Sequence, residues 1–321
     1  MNILRLKKSA SWGWYLIFCG IGFPYPRLST KSSKAWGRRF DGLHPDEVRL
    51  IIESQYEEFF GVKPNLDNPK TMSEKLCWIK LYYHDPLMTK CADKVCARHY
   101  FLEKFPGRED LLVRQLSVCD KWEDLEFKKF PDEFVLKSNW GSGAQIIVRD
   151  KKSFNPSSVA RKVRRWIDER SNHYYNFFEW GYKNIVPKIV VEEFLNFKYK
   201  IEFFCFNGKP KFFWVVFNDK TLNTKANLYW LDGSKIPVIS HYPNFDELFT
   251  KPKCYDEMLW VAEKLAGEFP FVRCDFYVTE KGYKFSELTF FHWAGYCDFS
   301  PITWDLRFGD FIELPKQSKY A

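Results

Sequence analysis

Arg273 and Asp275 flank Cys274 in the run FVRCDFYV. On a strand, alternate side chains share a face, so Arg273 and Asp275 point together and Cys274 points away. Glu287 and Thr289 alternate in the same way within YKFSELTF. Thr279-Glu280-Lys281-Gly282 between the two runs reads as a hairpin turn. Pairing the two strands brings Asp275 beside Glu287. Neighbouring carboxylates repel unless a cation lies between them, and Mg²⁺ takes oxygen ligands together with phosphates. Arg273 alongside suits charge developing on a phosphoryl oxygen. The competing interpretation is a surface salt-bridge ladder. Phe271, Val272, Phe276, Tyr277, Phe285, Leu288 and Phe290 argue against it, because they make this a core hairpin, where charge needs a reason.

Two weaker signals precede it. Lys137-Ser-Asn-Trp-Gly141-Ser142-Gly143 places glycines where backbone amides can approach an anion, with Ser142 and Lys137 at hand. It matches neither a P-loop nor GxGxxG, and alone it is better read as an ordinary glycine hairpin. Glu192-Glu193-Phe194-Leu195 offers backbone groups to a base edge, and Glu202 offers an acceptor-only group to ribose hydroxyls. Judged in isolation, both are solvated strand ends.

Taken in order, these pieces resemble the ATP-grasp superfamily. Within it, the chain is similar to the TupA-like amidoligases of teichuronopeptide biosynthesis, found in capsule and O-antigen loci. The similarity runs from about Asn68 to Pro315 through TKCADK, LKSNWGSGAQIIVRDK, VVEEFL, FFCFNGKPKF, VRCDFYV, ELTF and SPITWDLRFGDFIELP. It implies that Lys94 and Lys137 neutralise ATP phosphates, and that Gly141, Ser142 and Gly143 cover them. By the same likeness Glu192, Glu193, Phe194 and Leu195 form the adenine hinge, and Glu202 holds ribose. Arg273 would stand beside the transferred phosphoryl group, with Asp275, Glu287 and Thr289 as magnesium ligands. The family's usual Glu-x-Asn is here Glu287-Leu288-Thr289, and a hydroxyl is a weaker ligand than an amide oxygen.

The implied reaction is ATP-dependent joining of a carboxylate to an amine through an acyl phosphate, with ATP and Mg²⁺ as cofactors. The implied partners are a uronic acid on a nucleotide- or lipid-linked glycan, and an amino acid or amino sugar. His292 is the candidate to deprotonate the amine, although a hydrogen-bonded pocket wall is the commoner use of such a histidine. Three rival readings are weighed against this. A polysaccharide glycosyltransferase would want a DxD-type pair, a sugar kinase would use the same ATP site, and a membrane-attached scaffold would carry a decayed one.

The elements that must position these groups mix helices with antiparallel hairpins, which makes the class α+β rather than a parallel doubly wound sheet. Helices are expected over 44–61, 73–84 (with Ser73 as N-cap and no capping box), 88–105, 156–170 and 254–267. Leu111 is expected to open a strand. Asn207-Gly208 marks a hairpin. The ATP-grasp likeness implies two antiparallel-sheet lobes clasping ATP. The division reads as an arm over 1–40, a helical region over 41–110, and lobes over 111–193 and 194–321.

The net charge of +8 sits in the arm, where eight Lys and Arg precede the first acid, Asp41. A charge excess confined to one tail implies no nucleic-acid surface. About 12 mostly apolar residues from Trp12 to Phe23 are too few to span a bilayer, which needs roughly 20, but suit a peripheral membrane contact. Nine scattered cysteines, an odd number without a CxxC pair, fit a reducing cytoplasm.

Overall fold

A computed structural model describes residues 42–168, 172, 174–219 and 221–316. The basic arm, with its proposed membrane contact, lies outside them. No helix among the described residues is long and apolar enough to cross a membrane. The described cysteines are all free thiols.

Helix α1 (Pro45–Phe60) starts at a His44–Glu47 capping box and stops at Gly61, whose φ of 74° ends the helical register. Helix α2 (Met72–Tyr82) is capped by Thr71, with Glu74 returning the bond to the Thr71 backbone. This corrects the expected cap. Ser73 lies inside the helix, donates its N–H to Asp305 Oδ1 at 2.9 Å, and is buried. With Thr71 as cap, Glu74 falls at the third helical position and the box is complete.

The single helix expected over 88–105 is two, α3 (Pro86–Ala92) and α4 (Cys96–Lys104). Asp93 parts them. Its Oδ1 accepts from Val95 N at 2.8 Å, and its Oδ2 accepts from Asn139 Nδ2 at 3.1 Å. The break frees Lys94 from helical geometry and ties its backbone to Asn139 O, 2.9 Å away. Leu111 belongs to a 3-10 turn, and the first strand begins only at Gln115.

Strands β1 (Gln115–Cys119), β2 (Phe134–Ser138), β3 (Gln145–Val148) and β4 (Ile189–Glu193) form an antiparallel sheet in the order β1-β4-β2-β3. Helix α5 (Pro156–Trp166) covers one face, burying Val163 and Trp166 with Phe134, Leu136 and Val191. The short helix α6 (Tyr174–Phe177) follows. The second sheet contains β5 (Tyr199–Phe206), β6 (Lys209–Phe217) and β7 (Lys225–Trp230). A two-residue β8 (Ile239–Ser240) and helix α7 (Tyr255–Ala266) lead to β9 (Phe271–Thr279) and β10 (Gly282–Thr289). Its order is β10-β9-β5-β6-β7, antiparallel throughout. Strand β11 (Phe299–Ser300) pairs with β8, and α8 (Thr303–Gly309) closes the described fold.

The β5–β6 turn carries Asn207 at φ 47° and Gly208 at φ 79°, the twist a two-residue hairpin requires. A Cβ on Gly208 would lie 2.2 Å from Gly267 O, so glycine is required twice over. The inner face of the second sheet packs Phe203, Cys274 and Phe276 with Met258 and Leu265 of α7. Leu76, Ile79 and Phe101 from the N-terminal helices belong to the same core. That leaves the opposite face of β5, β9 and β10 to carry charge.

Candidate active site

The charged face is set by register. Glu202 on β5 pairs with Asp275 on β9, which pairs with Glu287 on β10. The three carboxylates thus stand in a row across three strands, at the spacing of direct cross-strand neighbours. Strict alternation would send Glu287 to the core beside Phe285. The register slips between Phe285 and Glu287, and that bulge at Ser286 turns Glu287 onto Asp275's face.

Two cations hold the row together. Arg273 grips Asp275 with both arms, Nε to Oδ1 at 2.8 Å and Nη2 to Oδ2 at 2.7 Å. Arg273 Nε also lies 3.1 Å from Glu202 Oε2. Lys200 reaches Glu202 Oε1 at 3.1 Å and Asp219 Oδ2 at 3.4 Å. Asp275 is 0% exposed. Burial raises its pKa to about 7, against the pull of Arg273 and with added push from Glu202. Burial alone would lower Lys200 and Arg273, but their carboxylate partners hold both above their usual values.

His292 supports Arg273 from behind. Arg273 Nη1 donates to His292 Nδ1 at 2.7 Å, which leaves the ring proton on Nε2. The ring is fully buried, edge-on to Phe204 and Trp214. Burial, then Arg273, holds its pKa well below the ordinary imidazole value. A neutral, enclosed ring whose acceptor nitrogen is occupied is a wall that orients Arg273, not a base facing an amine. Arg273 Nη2 also reaches Thr289 Oγ1 at 3.5 Å.

A cleft open to solvent lies between the second sheet and the first. Lys94, Lys137, Gly141, Ser142, Gly143, Glu192 and Glu287 all line it. Lys94 Nζ donates to Gly141 O at 2.8 Å and lies 3.6 Å from Glu287 Oε2, bridging the glycine turn to the acidic row. Gly141 and Gly143 have φ of 67° and 77°, which tightens the turn between β2 and β3. Lys137 Nζ bonds Glu192 Oε2 at 2.5 Å. Burial would lower Lys137, but Glu192, Tyr277 and Glu287 together keep its pKa above the usual ammonium value.

Glu202, Arg273 and Asp275 sit behind Glu287 and do not line this cleft. Glu193, Phe194 and Leu195 leave β4 half-buried and also lie outside its lining. Glu193 N bonds Arg114 O at 3.0 Å, and the Phe194 ring lies under the Arg149 guanidinium at 3.8 Å. Sequence reasoning gave no role to Lys200, Arg98 or Tyr277. Lys200 was within reach, because a residue two before Glu202 on a strand shares its face. Tyr277, two after Asp275 on its strand, was within reach in the same way, whereas Arg98, which also lines the cleft, had no such signal.

Among the described residues, no cluster of three or more His, Cys, Asp or Glu could hold a metal ion. The donors present nonetheless fit magnesium. They are all oxygen, and Mg²⁺ is commonly held by one or two carboxylates plus substrate phosphates. Glu202 Oε2 makes no hydrogen bond, but Arg273 Nε, 3.1 Å away, meets its charge.

No curated protein sequence matches the chain. Among solved structures, a D-alanine–D-alanine ligase from Bacillus anthracis shares 20% identity, covering 62% of this chain and 56% of its own, with a TM-score of 0.35. The ADP complex of an N5-carboxyaminoimidazole ribonucleotide synthetase shares 15% over 68% of this chain and 50% of its own, with a TM-score of 0.39. The ATP-grasp ligase PsnB, complexed with a precursor variant, Mg and ADP, shares 13% over 68% and 58%, with a TM-score of 0.38. The chain thus spans between 50% and 58% of the length of these structures. The family model described as TupA-like ATPgrasp matches residues 74–313, well over half of the chain. The glycine turn, residues 192–195, the buried Arg273–Asp275 pair and Glu287 all fall inside that match, and the chain belongs to the TupA-like ATP-grasp family.

Proposed function

We propose that this chain activates a carboxylate with ATP and joins it to an amine. The carboxylate is a uronic acid or similar group on a nucleotide- or lipid-linked glycan bound for a capsule, O-antigen or other cell-surface polysaccharide. The observation that carries the reading is Glu287 facing Lys94, Lys137 and the glycine turn across one cleft, with Asp275 and Arg273 directly behind it.

When bound, ATP supplies the phosphoryl group that activates the carboxylate, and Mg²⁺ offsets the charge among the phosphates. Lys137 and Lys94 supply fixed positive charge on the phosphate side of the cleft. Gly141, Ser142 and Gly143 close over it, and the hinge from Glu192 to Leu195 takes the adenine side. Glu287, which faces the cleft, is the residue that would hold the metal, with Thr289 as the weaker donor; Asp275, expected beside them from the sequence, has both oxygens on Arg273 and anchors that arginine behind the site. Arg273, fixed by Asp275 and His292, provides a preset charge that costs no reorganisation when negative charge develops nearby. The reaction needs no covalent nucleophile from the protein, since positioning and charge neutralisation suffice. The place of action follows from the substrate: the cytoplasm, at the inner face of the membrane if the 1–40 arm attaches there.

The test is mass spectrometry of surface polysaccharide from cells carrying wild-type protein or Glu287→Ala. Loss of an amide-linked substituent with the sugar backbone intact is expected. Loss of a whole sugar residue would point to glycosyl transfer, and an unchanged polysaccharide would contradict the reading.

A further inference from the structure

Helix α5 carries charge that the cleft does not use. It buries Ala160, Val163 and Trp166 in the core that holds Leu136 and Val191. Those two strand residues alternate with Lys137 and Glu192, which line the cleft, so α5 lies on the back of the first sheet. On its outer side Arg161, Lys162, Arg164 and Arg165 are exposed, with Ser157 and Ser158 between them on the same arc. No Asp or Glu occurs between Asp150 and Asp168. The longer helices mix their signs. Arg49 of α1 pairs with Glu53, and Lys264 of α7 stands among Asp256, Glu257 and Glu263.

The fold accounts for part of this charge. Arg164 Nη2 reaches Glu123 Oε1 at 2.7 Å, and Arg164 and Arg165 in the last turn suit the negative end of the helix dipole. The turn Trp122–Asp124 packs against α5 and brings a second acid, Asp124, which pairs with none of the four. Among the described residues no ion pair engages Arg161, Lys162 or Arg165. Lys162 has only the Trp166 ring, 6.0 Å away. Like charges one turn apart, as at Arg161 and Arg165, repel and weaken a helix. A negatively charged surface laid against the arc removes that repulsion.

We propose that the outer face of α5 rests on an anionic phospholipid surface. The face has fixed positive charge and small serines, and α5 has no exposed large apolar side chain to insert. Contact is therefore electrostatic, at the level of the headgroups. A nucleic-acid face would add aromatic or amide side chains that reach bases, and this arc has none. Stable attachment to a membrane takes two signals. The 1–40 arm, with its eight Lys and Arg and its apolar run, supplies one in the sequence, and α5 supplies the other. The proposal does not depend on the ligase reading, because lipid binding is measured without nucleotide.

The test is cosedimentation of the full chain with vesicles of phosphatidylcholine alone, or of phosphatidylcholine with phosphatidylglycerol. Wild type is expected to bind the anionic vesicles, to bind the neutral ones far less, and to be released by high salt. Each basic residue near an anionic leaflet contributes about fivefold. Arg161→Gln/Lys162→Gln/Arg165→Gln is therefore expected to weaken anionic binding by at least about tenfold, with an unchanged thermal melt. Lys253→Gln/Lys264→Gln/Lys281→Gln removes the same charge from exposed positions around the second sheet, and is expected to bind as wild type does. If the α5 triple variant does not fold, Arg161→Gln/Lys162→Gln decides. An α5 variant that binds like wild type, a control that loses as much, or equal binding to neutral vesicles overturns the proposal. Failure of wild type to bind anionic vesicles also overturns it, and α5-dependent binding to duplex DNA in their place would give the face to a nucleic acid.

Discussion

Glu287 lies directly across β10 and β9 from Asp275, yet the two carboxylates have opposite surroundings. Asp275 is sealed beneath Arg273, while the Glu287 side chain is 29% exposed and lies 3.6 Å from Lys94. One acid anchors the arginine, and the other meets the cleft. Their roles therefore separate on substitution. Glu287→Gln is expected to lower ATP turnover by about 100-fold, the usual effect of removing one preset charge, with little change in stability. Steady-state ADP release beside a thermal melt checks both. Turnover within a few-fold of wild type would show that Glu287 does not face the reacting phosphate.

Arg273 is the opposite case, since its loss strands buried charge. Arg273→Ala leaves the buried Asp275 without its partner and Glu202 with Lys200 alone, and is expected to cost about 3–5 kcal/mol in urea unfolding. Arg273→Lys restores the charge without the fork that meets both Asp275 oxygens, so it should recover only part of the loss. Full recovery by lysine would mean that charge alone matters there.

His292 distinguishes a wall from a base. A histidine acting as general base contributes on the order of 10²- to 10⁴-fold, which its replacement would forfeit. His292→Gln can still accept from Arg273 and should reduce turnover by less than about tenfold on that scale. The remaining activity should titrate as in wild type, because the buried ring is held neutral well below the ordinary imidazole value. A pH–rate inflection near 6.5 that vanishes in His292→Gln would restore the base assignment.

The pH dependence of stability has its clearest test at Glu179. Burial raises its pKa from the ordinary 4.5 to about 7. A group that binds its proton more tightly when folded contributes fully below its unfolded pKa and loses that contribution as pH rises through the folded value. Between pH 4.5 and 7, wild type should therefore lose up to about 3 kcal/mol relative to Glu179→Gln, at 1.36 kcal/mol per pH unit of displacement. Denaturant unfolding of both proteins at several pH values across that window reads the difference. Parallel profiles would show that Glu179 is not held protonated.

The last hairpin was legible because its signal is local: alternation in FVRCDFYV and YKFSELTF fixes which side chains share a face. The bulge at Ser286 was not legible, and neither was the split of the 88–105 helix at Asp93. Each depends on a distant partner, Asn139 in the second case. Thr71 capping was missed by two residues, where either of two hydroxyls fitted the pattern. The pairing of Lys94 with Gly141 O, and of Lys137 with Glu192, joins segments 47 and 55 residues apart, beyond any periodicity. The burial of Lys80 and Glu179 was invisible for the same reason, since nothing local distinguishes a lysine buried in α2 from one on its surface.

The central claim is that the cleft between the two sheets is an adenine-nucleotide site. Calorimetric titration of the full chain with MgATP, and of Lys137→Met in parallel, tests it most directly. The predicted result is sub-millimolar binding by wild type that is at least about tenfold weaker in Lys137→Met, as expected when a buried charge facing the phosphates is removed. Equal binding by the two proteins, or no heat from wild type with any adenine nucleotide, would contradict it.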